Sequence, residues 1–127
     1  MLQSILEDVK REFRSGHMVT QIIIVNIVIW IAINIIKLLF TLLSEGATTP
    51  EIYYTIRDFF LISNSPLHVL THPWAFVTTN FIHEGFGHIF WNMLLFYWFG
   101  KIIGDLIGDR KILPMYLLSG ITGCLAY

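Results

Sequence analysis

Apolar side chains recur at Leu2, Ile5, Leu6, Val9 and Phe13, the spacing of one helix face, and Glu7, Asp8, Lys10, Arg11, Glu12 and Arg14 occupy the rest of the wheel. The pattern predicts an amphipathic helix over residues 1–18 that lies on a membrane surface. A solvated helix packed against another part of the protein is the alternative. A signal peptide does not fit, because the charges are mixed in sign, the apolar run that follows is too long and no small-residue cleavage site closes it. At residue 19 the two-sided pattern gives way to an apolar run lasting to residue 43, enough helix to cross a hydrocarbon core of about 30 Å. Asn26, Asn34 and Lys37 interrupt it. The asparagines are expected to face neighbouring helices, and Lys37 to extend its ammonium to the far interface.

Residues 44–85 form a long connection with features of folded structure. Thr49-Pro50-Glu51 reads as an N-cap, a proline at the first helical position and an acid in the first turn. Ile52, Ile56, Phe59 and Phe60 then share a stripe with Arg57 and Asp58 off it, and Ser63-Asn64-Ser65-Pro66 ends the run. The prediction is a short helix lying flat within a folded insert at the membrane interface. Two further apolar segments follow, at residues 86–104 and 112–127. The second is short for a crossing and still apolar at Tyr127, as expected of a chain cut inside or just after a helix. Gly100, Gly104 and Gly108 make two successive Gly-x-x-x-Gly steps, and Ser119 with Gly123 a similar small stripe, both suited to close helix approach, with glycines of a cytoplasmic loop the alternative for Gly104 and Gly108. The fold class expected is therefore all-α: a polytopic membrane protein whose three transmembrane helices follow an amphipathic helix and carry a structured outer loop.

Composition strengthens this reading. The chain is 55% hydrophobic and only 13% charged, against about 25% charged in soluble domains. A net charge of −1 leaves no basic face for nucleic acid. Cys124 is the sole cysteine, so it forms no internal disulfide and founds no metal cluster. Lys10, Arg11, Arg14, Lys101, Arg110 and Lys111 precede the first span or surround the turn between the second and third, while Lys37 and Arg57 fall on the other side. The positive-inside rule then places the N-terminus in the cytoplasm and the long connection outside, and the location expected is the plasma (inner) membrane. His83 and His88 come to lie near the outer face, with Asn92 deeper.

Two patterns carry candidate chemistry. His83-Glu84 invites comparison with the His-Glu-x-x-His helix of metalloproteases, but the next histidine comes five residues on, about 140° around a helix, with Gly85 and Gly87 favouring a bend. No third ligand is evident, and no metal or other cofactor is expected. His88 and Asn92 are i and i+4, so on a helix both leave one face about 6 Å apart along the axis. An imidazole N–H and a carboxamide NH₂ converging in a dry, inward-facing pocket would stabilise the oxyanion of acyl transfer. A satisfied interhelical hydrogen bond is the structural alternative.

Trp74, Phe81-Ile82-His83, His88, Asn92-Met93, Phe99-Gly100 and Tyr116-Leu117-Leu118-Ser119-Gly120, in this order, resemble the front half of a rhomboid intramembrane serine protease. The resemblance runs from Trp74 to the end of the chain. It implies that His88 and Asn92 serve the oxyanion site and that His83 helps to shape it. It also implies a nucleophilic serine in a Gly-x-Ser-Gly motif and a general-base histidine on later helices, and neither is present in these residues. Ser119 stands where the family places its third helix and is not assigned as nucleophile. The family usually follows the loop tryptophan with arginine, where this chain has Ala75, and carries a glutamate where this chain has Gly104 followed by Asp105. The expected function is that of an intramembrane endopeptidase acting on transmembrane proteins, inactive as residues 1–127 alone. A non-enzymatic rhomboid-like protein binding transmembrane clients is the second reading, and a metal or ion transporter using His83, Glu84 and His88 the third.

Overall fold

The computed structural model describes residues 1–44 and 49–126. Residues 45–48 of the long connection, and Tyr127 at the expected end of the third span, lie outside the described residues. Every regular element among the described residues is helical: α1 (Leu2–Ser15), α2 (Met18–Leu43), α3 (Glu51–Phe60), α4 (Pro66–Thr71), α5 (Ala75–Thr78), a 3₁₀ turn (Thr79–Phe81), α6 (Phe86–Ile107), a second 3₁₀ turn (Asp109–Lys111) and α7 (Ile112–Ala126). Among the described residues α2 alone is long and apolar enough to cross a membrane by length and composition, with a mean hydropathy of 2.6. α6 is long enough but carries His88, Asn92, Lys101 and Asp105 along its length, and α7 is described for 15 residues.

The chain divides into two compact units, one comprising residues 1–28 and 83–116, the other residues 29–82 and 117–127. In the first unit Val19 and Ile22 of α2 pack on Ile112 of α7, with Ile23, Phe96, Ile103, Leu113 and Tyr116 around them. Asn26 sits in this core with no solvent exposure. Its amide N–H donates to the Ile22 carbonyl at 2.8 Å, and its side-chain oxygen accepts from the Tyr116 hydroxyl at 3.3 Å. The expectation that Asn26 faces a neighbouring helix is met. Asn34 differs: its amide donates to the Trp30 carbonyl of its own helix at 2.8 Å, the local bond open to any short polar side chain on a helix.

The three glycines of α6 and its C-terminus separate into two roles. Gly100 is buried, and a Cβ built there would stand 3.0 Å from Val19 Cγ2, so its missing side chain is what lets α2 come close. Gly104 faces Ile112 at ordinary contact distance, 3.7 Å. Gly108 lies outside the helix at φ 98°, which corrects the second Gly-x-x-x-Gly step to a turn. That backbone region suits glycine because a Cβ would clash there. The turn delivers Asp109 to the start of α2, where its two carboxylate oxygens accept the Met18 N–H at 2.9 and 3.0 Å. A negative charge at a helix N-terminus satisfies an orphan donor and opposes the helix dipole. The preceding helix is closed in a similar way, since the Gln21 amide donates to the Phe13 carbonyl at 2.7 Å. Leu2, Ile5, Leu6, Val9 and Phe13 of α1 are all exposed, which leaves its apolar face open along its length.

The second unit contains the long connection. α3 begins one residue later than the sequence suggested: Pro50 is its N-cap, and Thr49 pairs its hydroxyl with that of Thr41 at 3.2 Å instead. Ile52, Ile56, Phe59 and Phe60 form the expected stripe but stay exposed, and Tyr53 is the residue α3 buries. The open carbonyls at the C-terminal end of α3 are taken by side chains from the elements that follow. Trp74 Nε1 donates to Phe59 O at 2.9 Å, the Thr78 hydroxyl donates to Phe60 O, and His68 Nε2 bonds Leu61 O at 3.1 Å. Phe59 also meets the rings of His72 and Trp74 at 5.2 and 4.9 Å, and His72 stacks on His68 at 4.1 Å. The folded insert is thus a closed helix end held by aromatic contacts. Elsewhere in this unit the Asn80 amide lies against Gly120 of α7 so closely that any Cβ at 120 would overlap it.

Gly100→Leu is expected to force α2 and α6 apart and to lower stability by about 1–3 kcal/mol, the usual range for overpacking. Asp109→Ala should remove about 0.5–2 kcal/mol as a lost cap, and Tyr116→Phe about 1 kcal/mol as a lost interhelical bond. Gly123→Leu serves as the control, because nothing lies within 4 Å of a Cβ there. Unfolding in increasing SDS, followed by tryptophan fluorescence, reads all four. A second test concerns the insert: Trp74→Phe keeps an aromatic ring, though a smaller one, and deletes the N–H, and faster limited proteolysis within residues 59–74 is the expected result.

Candidate functional site

α6 starts where Gly85 turns the chain from an extended approach into helix, with φ −118° and ψ 154°, and the Ile89 N–H closes the first turn on the Gly85 carbonyl at 3.1 Å. His83 and Glu84 precede that turn in irregular backbone. A His-Glu-x-x-His helix is therefore absent, in keeping with the two glycines, and among the described residues no three His, Cys, Asp or Glu side chains group as metal donors. What the bend does instead is fold His83 back on the helix it introduces. Its imidazole is 5% exposed and its ring centroid lies 5.1 Å from that of His88, at an interplanar angle of 62°. Edge-to-face contact of this kind orients one ring by the other.

His88 and Asn92 lie on continuous helix one turn apart, as the spacing required. The buried stripe of α6 is Ile89, Met93 and Gly100, about 100° further round, and both polar residues are exposed. The expectation of a dry, inward-facing pair is thus corrected in one respect: the core made by these residues does not cover it. Of the three sequence-selected residues, His83 is buried against the ring of His88, and Asn92 stands one turn beyond on the same helix. Ser119 is an exposed residue in the middle of α7.

The departures from the family pattern have structural readings of their own. Ala75 has no solvent exposure, and Trp74 is held by its indole bond to α3, so the tryptophan is anchored without a neighbouring arginine. Asp105 is exposed on α6. Asp109, by contrast, was missed by sequence reasoning although it carries the cap on α2. Its signal is the Gly108-Asp109 pair after a long helix, but its partner is 91 positions away and no local pattern names it.

Comparison with known proteins bears on the same region. No curated protein and no solved structure matches the chain. Residues 70–127 match the family model of the Rhomboid domain, a stretch that takes in Trp74, His83, His88, Asn92 and Gly120. The motifs that suggested the resemblance and the segment that matches therefore coincide, and residues 70–127 are similar to the Rhomboid domain.

Proposed function

We propose that these residues supply the oxyanion-stabilising helix of a rhomboid intramembrane serine endopeptidase. α2, α6 and α7 then serve as three transmembrane helices, with α1 on the cytoplasmic surface of the plasma membrane and the insert at the outer face. The observation that carries the reading is the placement of His88 and Asn92 on one face of α6, with the buried His83 ring set against His88. When a serine oxygen adds to a peptide carbonyl, negative charge moves onto the carbonyl oxygen. An imidazole N–H and an amide N–H fixed on a helix meet that charge without reorganising. His83 acts through His88 by limiting its ring rotation. Exposure of the pair on α6 suits a role completed by further helices, because residues 1–127 contain no Gly-x-Ser-Gly to furnish the nucleophile. The substrates are single-span membrane proteins, and no cofactor takes part.

The experiment has two arms. Residues 1–127 expressed alone are expected to leave a transmembrane substrate uncut. In a polypeptide that joins them to a segment bearing Gly-x-Ser-Gly and a later histidine, cleavage is expected. There His88→Ala and Asn92→Ala should each lower kcat about 10²–10³-fold, the loss typical of one oxyanion donor, with little change in KM. Full kcat in both variants would remove the oxyanion role. Serine-reagent-sensitive turnover by residues 1–127 alone would remove the division of labour. A coding sequence without those motifs would turn the assignment to a non-enzymatic relative that receives a transmembrane client.

A further inference from the structure

A second feature of the first unit is a cleft of about 200 Å³ between the start of α2 and the last turns of α6, lined by His17, Thr20, Tyr97, Lys101, Asp105 and Asp109. Its origin lies in the glycines. Tyr97, Gly100, Lys101, Gly104 and Asp105 share one face of α6, and the two glycines leave that face without side chains where it passes α2, so the floor is backbone closed at one end by Val19. The volume is below the roughly 300–1,000 Å³ of sites for drug-sized ligands and fits a small polar group.

The charges around it are mixed and separated. Asp109 already accepts the Met18 N–H with both oxygens, which leaves Lys101 and Asp105 as the charges facing a ligand, with the His17 imidazole and the Thr20 hydroxyl beside them. Lys101 and Asp105 are i and i+4 with the cation first, the weaker orientation for a pair on one helix. The Lys101 ammonium is 5.6 Å from the centroid of the Tyr97 ring, which lies about two turns back from Asp105. The lining of the cleft therefore combines a cation, a carboxylate and the polar His17 and Thr20 side chains. The cleft also sits where α2 changes from the polar His17 to its apolar run, the level at which lipid headgroups meet a spanning helix.

We infer that this cleft binds the headgroup of a zwitterionic phospholipid bearing a primary amine, with the phosphate at Lys101, His17 and Thr20 and the ammonium at Asp105. A primary ammonium donates hydrogen bonds to Asp105 that a trimethylated choline does not, and an uncharged glycerol headgroup leaves the carboxylate without a counter-charge. The inference does not depend on the oxyanion role of His88 and Asn92.

Residues 1–127 purified in detergent and exchanged against phosphatidylethanolamine, phosphatidylcholine and phosphatidylglycerol provide the test, with bound lipid read by native mass spectrometry. Retention of phosphatidylethanolamine at about tenfold over the other two is expected, a preference of about 1.4 kcal/mol. Asp105→Asn should abolish that preference, and Lys101→Gln should lower retention of phosphatidylethanolamine itself. Gly104→Leu should fill the cleft and remove retention without loss of helical circular dichroism, since a Cβ at 104 meets only Ile112 at 3.7 Å. Soluble phosphoethanolamine should compete weakly, and inorganic phosphate not at all. Equal retention of the three lipids, undiminished retention in Gly104→Leu, or displacement by inorganic phosphate as readily as by phosphoethanolamine would overturn the proposal.

Discussion

A carboxamide with no solvent exposure inside an apolar helix must find partners for both its N–H and its oxygen, because an unsatisfied polar group there costs several kcal/mol. Asn26 meets that constraint with one bond to its own helix and one from Tyr116. The second bond sets the register of α2 against α7. Tyr116 in turn lays its ring 5.0 Å from that of Phe96, so the same residue brings α6 into the arrangement. Interhelical packing among apolar surfaces is weakly specific by itself, since lipid tails and leucines are alike in polarity. One buried amide supplies the direction that the aliphatic contacts lack.

Around that bond the first unit is fixed by two further devices, both made by what is missing or what is charged. Gly100 removes a side chain where Val19 of α2 approaches, and Gly108 adopts a backbone conformation that turns Asp109 onto the start of α2. α6 is thereby held by its buried stripe of Ile89, Met93 and Gly100 and at the turn that follows it. Placement of that helix is what gives His88 and Asn92 a fixed spacing, which the proposed oxyanion role requires. The cleft proposed for a lipid headgroup is a by-product of the same economy of side chains at Gly100 and Gly104.

Periodicity and capping made most of the secondary structure legible. The amphipathic pattern located α1, the apolar run located α2 within a residue of its start, and the His88–Asn92 face was correctly placed on a helix that begins at Phe86. The sequence was less informative wherever the partner is distant. Thr49 looked like a cap from its neighbours, yet its hydroxyl is engaged with Thr41, so Pro50 occupies the cap position. The short helices α4 and α5 carry no periodic signal of their own. They exist because His68, Trp74 and Thr78 close the end of α3, a set of side-chain bonds to carbonyls that no composition rule encodes. Which face of α6 is buried was likewise hidden, because aromatic residues surround the helix on every side and only packing distinguishes Ile89 and Met93 from Phe90 and Trp91.

The account turns on where negative charge is received. A structure of residues 1–127 joined to a segment bearing Gly-x-Ser-Gly and a later histidine, trapped with a peptide aldehyde that forms a tetrahedral adduct on that serine, measures that directly. The adduct oxygen is predicted to lie about 2.7–3.1 Å from a ring nitrogen of His88 and from Asn92 Nδ2. An adduct oxygen bound elsewhere, with the His88 and Asn92 side chains turned to lipid, would contradict it.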